Sequence, residues 1–154
     1  GTVLQPNGGG GMGYAVPAAA AVAFDFPGRP SVAVCGDGGM AMTLHGLITA
    51  VEQRLKMTVV VLDNQILGWV YHGQKNRIIA SEFADFDYAA IANAIGCQAA
   101  STDDVDSFRT ALRAALDYDG VSVVVAKTSR DDRYQQMMTS LSTGDPYAVG
   151  GDDD

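Results

Sequence analysis

The sequence predicts an α/β fold, a doubly wound parallel sheet flanked by helices in three α/β/α layers. Three short valine-rich runs are continuously apolar rather than alternating, which is typical of parallel strands buried on both faces. Helical patterns lie between and around these runs, so that strand and helix alternate along the chain. In such folds ligands bind at the carboxyl ends of the strands, and this edge is where we look for function.

The elements follow one another in a simple order. The first helix is predicted over an alanine-rich run at about 14–24, and the first strand at 31–35. A helix at 42–55 follows because one apolar stripe recurs there at helical spacing; its members are Leu44, Leu47, Ile48, Val51 and Leu55. The remaining predictions are strands at 57–62 and 121–126 and helices at 88–95 and 105–116. The acidic residues at 103–106 open the last of these helices, where carboxylates complement the helix dipole.

Composition fits one folded domain. The chain has 154 residues, of which 47% are apolar and 18% charged, enough to bury a core. Its net charge of -8 is the wrong sign for binding nucleic acid or an anionic membrane surface. The longest apolar stretch, 14–24, is shorter than the roughly 20 residues of a membrane span. We therefore expect no nucleic-acid or membrane partner, no signal peptide or anchor, and a cytoplasmic location.

The two cysteines indicate neither a disulfide framework nor a zinc site. Cys35 and Cys97 belong to no Cys-x-x-Cys pair and have no histidine at ligand spacing. Cys35 ends a strand and Cys97 follows a helical pattern, so both are interpreted as small buried apolar side chains. This usage suits a reducing compartment.

The most informative segment joins two strand ends. The strand at 31–35 leads into Gly36, Asp37, Gly38 and Gly39, and the next strand leads into Asp63 and Asn64. If these strands are neighbours, Asp37 and Asn64 face one point, because adjacent strands lie about 4.8 Å apart. A carboxylate and an amide oxygen suit Mg²⁺, and bare glycine N–H groups at a helix start suit a phosphate.

These residues match a known pattern. Gly-Asp-Gly at 36–38, followed after 25 residues by Asn64, resembles the thiamine-diphosphate signature of the decarboxylase and carboligase superfamily. Segments 8–19 (GGGGMGYAVPAA), 67–70 and 86–98 (FDYAAIANAIGCQ) are also similar to acetolactate synthases and pyruvate oxidases. The resemblance covers about residues 1–128, which we assign to a diphosphate-binding domain. Residues 129–154 are predicted to be a polar helix, around 134–141, and an acidic tail.

The resemblance implies a set of site residues. Mg²⁺ would be bound by Asp37, Asn64 and the backbone carbonyl of Ile66. The cofactor would lie against Gly10, Met12, Gly38, Gly39, Leu67 and Gly68. In the family Met12 corresponds to the apolar residue beneath the bent cofactor, and the Gly10 carbonyl accepts from its 4′-amino group. Trp69, Val70 and His72 are expected near the substrate, although a loop histidine such as His72 is more often a bystander.

The resemblance also implies what the chain needs from elsewhere. In the family a glutamate from a pyrimidine-binding domain activates the cofactor, and nothing in this sequence resembles that domain. We therefore expect no catalytic residue in this chain, a partner domain or subunit in a homo- or hetero-oligomer, and a small 2-keto acid such as pyruvate as substrate. A strand and helix precede the glycine-rich segment in the family. We therefore expect that the sheet of this chain can be incomplete at its N-terminal end. FAD is a family cofactor that no residue here supports.

Two other classes stay open at this stage. One is a non-catalytic remnant that holds cofactor or a partner without turnover. The other is an unrelated doubly wound domain, such as a phospho-acceptor receiver, with Asp37 in its acidic pocket and Lys127 as its lysine.

Overall fold

The computed structural model describes residues 3–6, 8–74 and 78–130. Within them it contains a parallel four-stranded sheet in the order β1-β2-β4-β3. The strands are β1 (Val32–Gly36), β2 (Met57–Asp63), β3 (Gln98–Thr102) and β4 (Val121–Lys127). The helices are α1 (Ala15–Asp25), α2 (Asp37–Thr43), α3 (Gly46–Glu52), α4 (Gly68–Gly73), α5 (Tyr88–Ile95) and α6 (Val105–Asp117). The predicted α/β class with a parallel sheet is confirmed.

The main core lies on one face of the sheet. Ala33, Val59 and Val123 point to this face, and each is at most 3% exposed. They pack against buried side chains of α1, α2, α3 and α5, including Leu47 and Ala92. This burial of valine and alanine between sheet and helices is the principal hydrophobic contribution to the fold.

The opposite face is covered by α6. The hydroxyl groups of Thr58 and Ser122 both donate to the Ala115 carbonyl in α6, at 3.3 and 3.0 Å. The Ser122 and Thr58 hydroxyl oxygens also lie 3.0 Å apart, so both buried hydroxyl groups have polar partners. With helices on both faces, the architecture has the three predicted layers.

The prediction that every strand is buried on both faces is wrong for β1. β2 and β4 are buried along most of their length, but Val32 and Val34 are 47% and 59% exposed. The reason is positional: β1 is an edge strand, and α6 contacts β3, β4 and β2. An apolar run alone does not say whether a helix covers its outer face.

The predicted single helix at 42–55 is two shorter helices, α2 and α3. The helical conformation begins earlier, at Asp37, and is interrupted after Thr43, whose hydroxyl donates to the Gly39 carbonyl at 3.1 Å. At the start of α3, a Cβ on Gly46 would lie 3.2 Å from Val16 in α1. The absence of a side chain at position 46 therefore allows α3 to approach α1 closely. The second helix ends at Glu52, shortly before Arg54 adopts a left-handed φ of 52°.

Two elements were not predicted. Strand β3 consists of small and polar residues at a sheet edge and lacks the valine run that identified the others. Helix α4 follows Leu67 and has only six residues. The remaining predicted elements agree with the structure to within one or two residues. The predicted helix at 134–141 and the acidic tail lie outside the described residues.

Helix α6 begins at the acidic cluster 103–106, as the sequence predicted. The Asp104 carboxylate accepts hydrogen bonds from the amides of Asp106 and Ser107, at 2.8 and 2.9 Å. These are N-cap bonds, which satisfy otherwise unpaired amides of the first turn. Within the described ranges no helix is long and apolar enough to cross a membrane.

Candidate functional site

The site begins at the carboxyl ends of β1 and β2, which are adjacent parallel strands. Asp37 follows β1 directly and is only 3% exposed. One carboxylate oxygen accepts from the Gly38 amide at 2.7 Å, and the other accepts from the Gln65 amide at 2.6 Å. Asp37 therefore ties the start of α2 to the loop that follows β2, as the predicted strand adjacency requires.

The environment of Asp37 disfavours its charge. Burial raises the pKa of Asp37, and the nearby Asp63 carboxyl raises it further, whereas hydrogen bonds from Gly38 and Gln65 lower it. The phenol of Tyr88 donates to the Asp37 backbone carbonyl at 3.3 Å. A bound cation would stabilise the ionised form of such a carboxylate, because it replaces part of the solvation that burial removes.

The loop at 64–67 is held in a strained conformation. Gln65 has a left-handed φ of 62° and lies between the candidate ligands Asn64 and Ile66. The Asn64 side-chain oxygen accepts from the Ile66 amide at 3.3 Å. Left-handed conformations of residues other than glycine persist only where surrounding contacts determine them, and they cluster at functional sites.

The contacts that hold this loop come from a second loop, at 81–85. Leu67 donates its amide to the Ser81 carbonyl at 2.7 Å, and Phe83 donates its amide to the Gln65 carbonyl at 2.8 Å. Ile66 and Glu82 form an isolated antiparallel bridge between the same segments. Sequence reasoning did not assign this second loop a role.

Two cations from the end of β4 also reach the site, and sequence reasoning missed their role. Lys127 Nζ lies 2.7 Å from carboxylate oxygens of both Asp63 and Asp85. Hydrogen bonds to these two carboxylates raise the pKa of Lys127. Arg130 donates to the Asn64 carbonyl at 3.0 Å and pairs with Glu82 at 2.9 Å.

A cavity of about 450 Å³ opens beside Asp37 and brings together most of the predicted site residues. Its lining includes Met12, Asp37, Gly38, Gly39, Ile66, Leu67, Gly68, Trp69 and Val70. Gly10, Asn64 and His72 are not among the lining residues that the structure describes. No lysine or arginine lines the described part of this cavity, so an anionic ligand there would need another source of positive charge.

Two glycines allow close contacts around the cavity. A Cβ on Gly38 would lie 2.8 Å from the ends of both Met12 and Leu67, closer than such atoms approach. Gly13 has a φ of +84°, and a Cβ there would lie 2.9 Å from Thr43. The ends of Met12 and Leu67 can therefore both lie against the start of α2 only because position 38 has no side chain.

Comparison with known proteins identifies this arrangement. Residues 1–126 match the family model described as the C-terminal TPP binding domain of thiamine pyrophosphate enzymes. The chain belongs to this family. Thiamine pyrophosphate is another name for thiamine diphosphate, so the predicted resemblance is confirmed, and membership decides against a receiver domain.

Several relatives of this thiamine pyrophosphate family are similar over most of the chain. It is 35% identical to the protein YdaP of Bacillus subtilis (strain 168), over 73% of this chain and 20% of YdaP. It is 32% identical to the catabolic acetolactate synthase of Raoultella terrigena, over 79% of this chain and 22% of the synthase. The solved benzoylformate decarboxylase of Polynucleobacter necessarius is 27% identical, with a TM-score of 0.73, over 80% of this chain and 25% of that one. The chain thus spans about a fifth to a quarter of these relatives.

The predicted substrate residues lie towards the outer end of the site. Trp69 and Val70 are exposed residues of α4 and line the cavity. His72 is half-buried in the same helix, and its ring makes an edge contact with Tyr71 at 5.3 Å. The structure therefore brings Trp69 and Val70, but not His72, to the cavity wall.

Cys97 is buried, as predicted, whereas Cys35 is only partly buried and lines the cavity beside Asp37. Burial first, and then the charge of Asp37, raise the pKa of Cys35 to about 11; burial alone raises that of Cys97 to about 11. A raised pKa leaves less of the reactive thiolate at neutral pH. We expect iodoacetamide at pH 7.5 to modify both cysteines at least about tenfold more slowly than free cysteine, as measured by intact mass. Labelling of either at the free-cysteine rate would contradict the raised pKa of that thiol.

Proposed function

We propose that this chain binds thiamine diphosphate together with Mg²⁺ and forms part of an enzyme that decarboxylates or carboligates a 2-keto acid such as pyruvate. The observation that carries the proposal is the position of Asp37. Its buried carboxylate joins the start of α2 to the 64–67 loop at the edge of a cavity. A carboxylate at the edge of a cavity is a suitable metal ligand for the diphosphate cofactor of this family.

The donor set supports Mg²⁺. Asp37 offers a carboxylate, Asn64 an amide oxygen and Ile66 a backbone carbonyl, all of them hard oxygen ligands. Mg²⁺ usually keeps few protein ligands and completes its octahedron with water and phosphate oxygens. A divalent cation would also supply the positive charge that the described cavity wall lacks.

The remaining cavity residues have positioning roles in this proposal. Amide groups of Gly38 and Gly39 would bind diphosphate oxygens at the start of α2. The apolar ends of Met12 and Leu67 would set the conformation of the bound cofactor, with Gly68 and the Gly10 carbonyl beside them. When bound, thiamine diphosphate supplies an electron sink for the decarboxylation of 2-keto acids. Trp69 and Val70 are proposed to face the substrate from the cavity wall. His72 lies on the same helix but outside the described cavity lining, so a substrate contact of His72 stays a prediction from the sequence.

Activity requires a partner in this proposal. The activating glutamate would come from a pyrimidine-binding domain or subunit, so that the reaction takes place at an interface and the assembly is an oligomer. This partner, the 2-keto acid and the cytoplasmic location stay predictions. FAD has no support in the described residues.

Metal removal tests the proposal. We expect calorimetric titration with thiamine diphosphate to give saturable binding in Mg²⁺ and no measurable binding after treatment with EDTA, because the diphosphate then faces Asp37 without a bridging cation. Release of CO₂ from pyruvate is expected only when a pyrimidine-binding partner is present. Binding that is equal with and without metal would contradict the proposed metal bridge.

A further inference from the structure

The end of β2 carries a buried carboxylate that the proposed function does not use. Asp63 is 2% exposed, and its partner is Lys127, the residue opposite it in the pairing of β2 with β4. The Lys127 ammonium lies 2.7 Å from the Asp63 carboxylate. A buried carboxylate is costly unless an opposite charge compensates it, and Lys127 supplies that opposite charge for Asp63.

Asp63 is also close to Asp37. Gly36 and Leu62, the residues just before Asp37 and Asp63, are partners in the pairing of β1 with β2, so the two carboxylates lie at the same edge of the sheet on adjacent strands. Consistent with this placement, Asp63 raises the pKa of Asp37. If both carboxylates are ionised, they carry two negative charges, and the Lys127 ammonium beside Asp63 balances one of them. The charge that faces a cation is therefore set by three side chains and not by Asp37 alone.

We propose that Lys127 is the charge-balancing residue of the site: it neutralises Asp63, so that Asp37 alone acts as the anionic ligand of a cation that must also carry a diphosphate. This inference rests on the proposed function and deepens it. A second uncompensated carboxylate would attract the metal more strongly but repel the anionic cofactor. Lys127 thereby favours the metal–diphosphate pair over the metal alone.

The other contacts of the two β4 cations have a different character. Asp85, the second partner of Lys127, is 69% exposed, and exposed ion pairs contribute little. Arg130 bonds to the Asn64 carbonyl and to the exposed Glu82, so it holds the loop without compensating a buried charge. Charge balance at the site is thus assigned to Lys127 rather than to Arg130.

The test is a charge cycle on the purified protein. Lys127→Met keeps the aliphatic length and removes the charge, Asp63→Asn removes the opposite charge, and the double variant removes both. Binding of Mn²⁺ alone is measured by electron paramagnetic resonance, and binding of thiamine diphosphate is measured calorimetrically in saturating Mn²⁺ at one pH. Arg109→Met, which breaks an exposed pair with Asp106 on α6, is the matched control.

We expect Lys127→Met to bind Mn²⁺ about tenfold more tightly and thiamine diphosphate about tenfold more weakly, because the uncompensated Asp63 carboxylate would attract the cation and repel the diphosphate. Asp63→Asn should show the opposite pair of shifts, and the double variant should return near to wild type. The control should show neither shift. Opposite changes in the affinities for Mn²⁺ and thiamine diphosphate distinguish charge balance from a purely structural role, which would weaken both affinities together.

Each other outcome is decisive. Parallel losses of both affinities in Lys127→Met, or unchanged affinities, would overturn the charge-balancing role. If Lys127→Met does not fold, the reversed shifts in Asp63→Asn and the restored double variant decide the question. A wild-type protein that binds Mn²⁺ but no thiamine diphosphate would overturn the proposed function, while the Mn²⁺ shifts would still test Lys127. Absence of Mn²⁺ binding would overturn both.

Discussion

Asp37→Asn is expected to lower the affinity for Mn²⁺ and the metal-dependent affinity for thiamine diphosphate by at least about 100-fold. Loss of groups that only orient a metal ligand already costs about 10- to 100-fold, and Asp37 is the one carboxylate assigned to the metal. Mn²⁺ binding followed by electron paramagnetic resonance and calorimetric titration of the cofactor measure the two losses. Both should fall together, unlike the opposed shifts expected at Lys127.

The Asp37 variant is expected to stay folded. Burial raises the pKa of Asp37, so the fold disfavours its ionised form, and a neutral amide removes that cost while losing one of two hydrogen bonds to Gly38 and Gln65. Burial makes the pKa of Asp37 higher in the folded chain than in the unfolded chain. The contribution of Asp37 to the free energy of unfolding therefore falls as the pH rises above its unfolded-state pKa. Far-ultraviolet circular dichroism checks the fold.

The matched control for Asp37 is Asp117→Asn. Asp117 is an exposed carboxylate at the end of α6 and does not line the cavity. The same change of a carboxylate to an amide there should leave both affinities unchanged. If Asp37→Asn also binds Mn²⁺ and cofactor as wild type does, the assignment of Asp37 to the metal is wrong.

The parts of the site that the sequence predicted depend on local signals. Asp37 and Gly38 directly follow β1, and the 64–67 loop directly follows β2, so contact between them required only that β1 and β2 be neighbours. Consecutive strands joined by one crossover are adjacent in most α/β sheets. The Asp37 bond to the Gln65 amide follows from the same adjacency.

The parts that the sequence did not predict depend on non-local placement. Lys127 and Asp63 are 64 positions apart and meet because β4 inserts between β2 and β3 in the sheet. No spacing in the sequence indicates that order. The 81–85 loop was missed for a related reason, since its contacts with Gln65 and Leu67 are made by backbone groups that any residue carries. β3 lacked a signal because small residues suffice at a sheet edge.

Gly38→Ala is expected to weaken thiamine diphosphate binding by about tenfold or more while leaving Mn²⁺ binding close to wild type. The added methyl group would lie 2.8 Å from the ends of Met12 and Leu67, so these side chains must move, and both line the cavity. Overpacking of this kind typically costs about 1–3 kcal/mol, which corresponds to roughly 5- to 150-fold in an equilibrium constant. Asp37 keeps its carboxylate, so the cation retains its principal ligand. Calorimetry in saturating Mn²⁺ measures the cofactor loss.

The control for position 38 is Gly28→Ala, because a Cβ on Gly28 meets no atom within 4 Å. It adds the same methyl group in open space and should change neither affinity. The contrast with Asp37→Asn separates two proposed roles in one short segment: the Asp37 carboxylate would hold the cation, and the absent side chain of Gly38 leaves room for Met12 and Leu67, which would shape the cofactor pocket. Equal cofactor binding by Gly38→Ala and wild type would show that Met12 and Leu67 do not shape the cofactor pocket. Loss of Mn²⁺ binding in Gly38→Ala would instead mean that the methyl group displaces Asp37 itself.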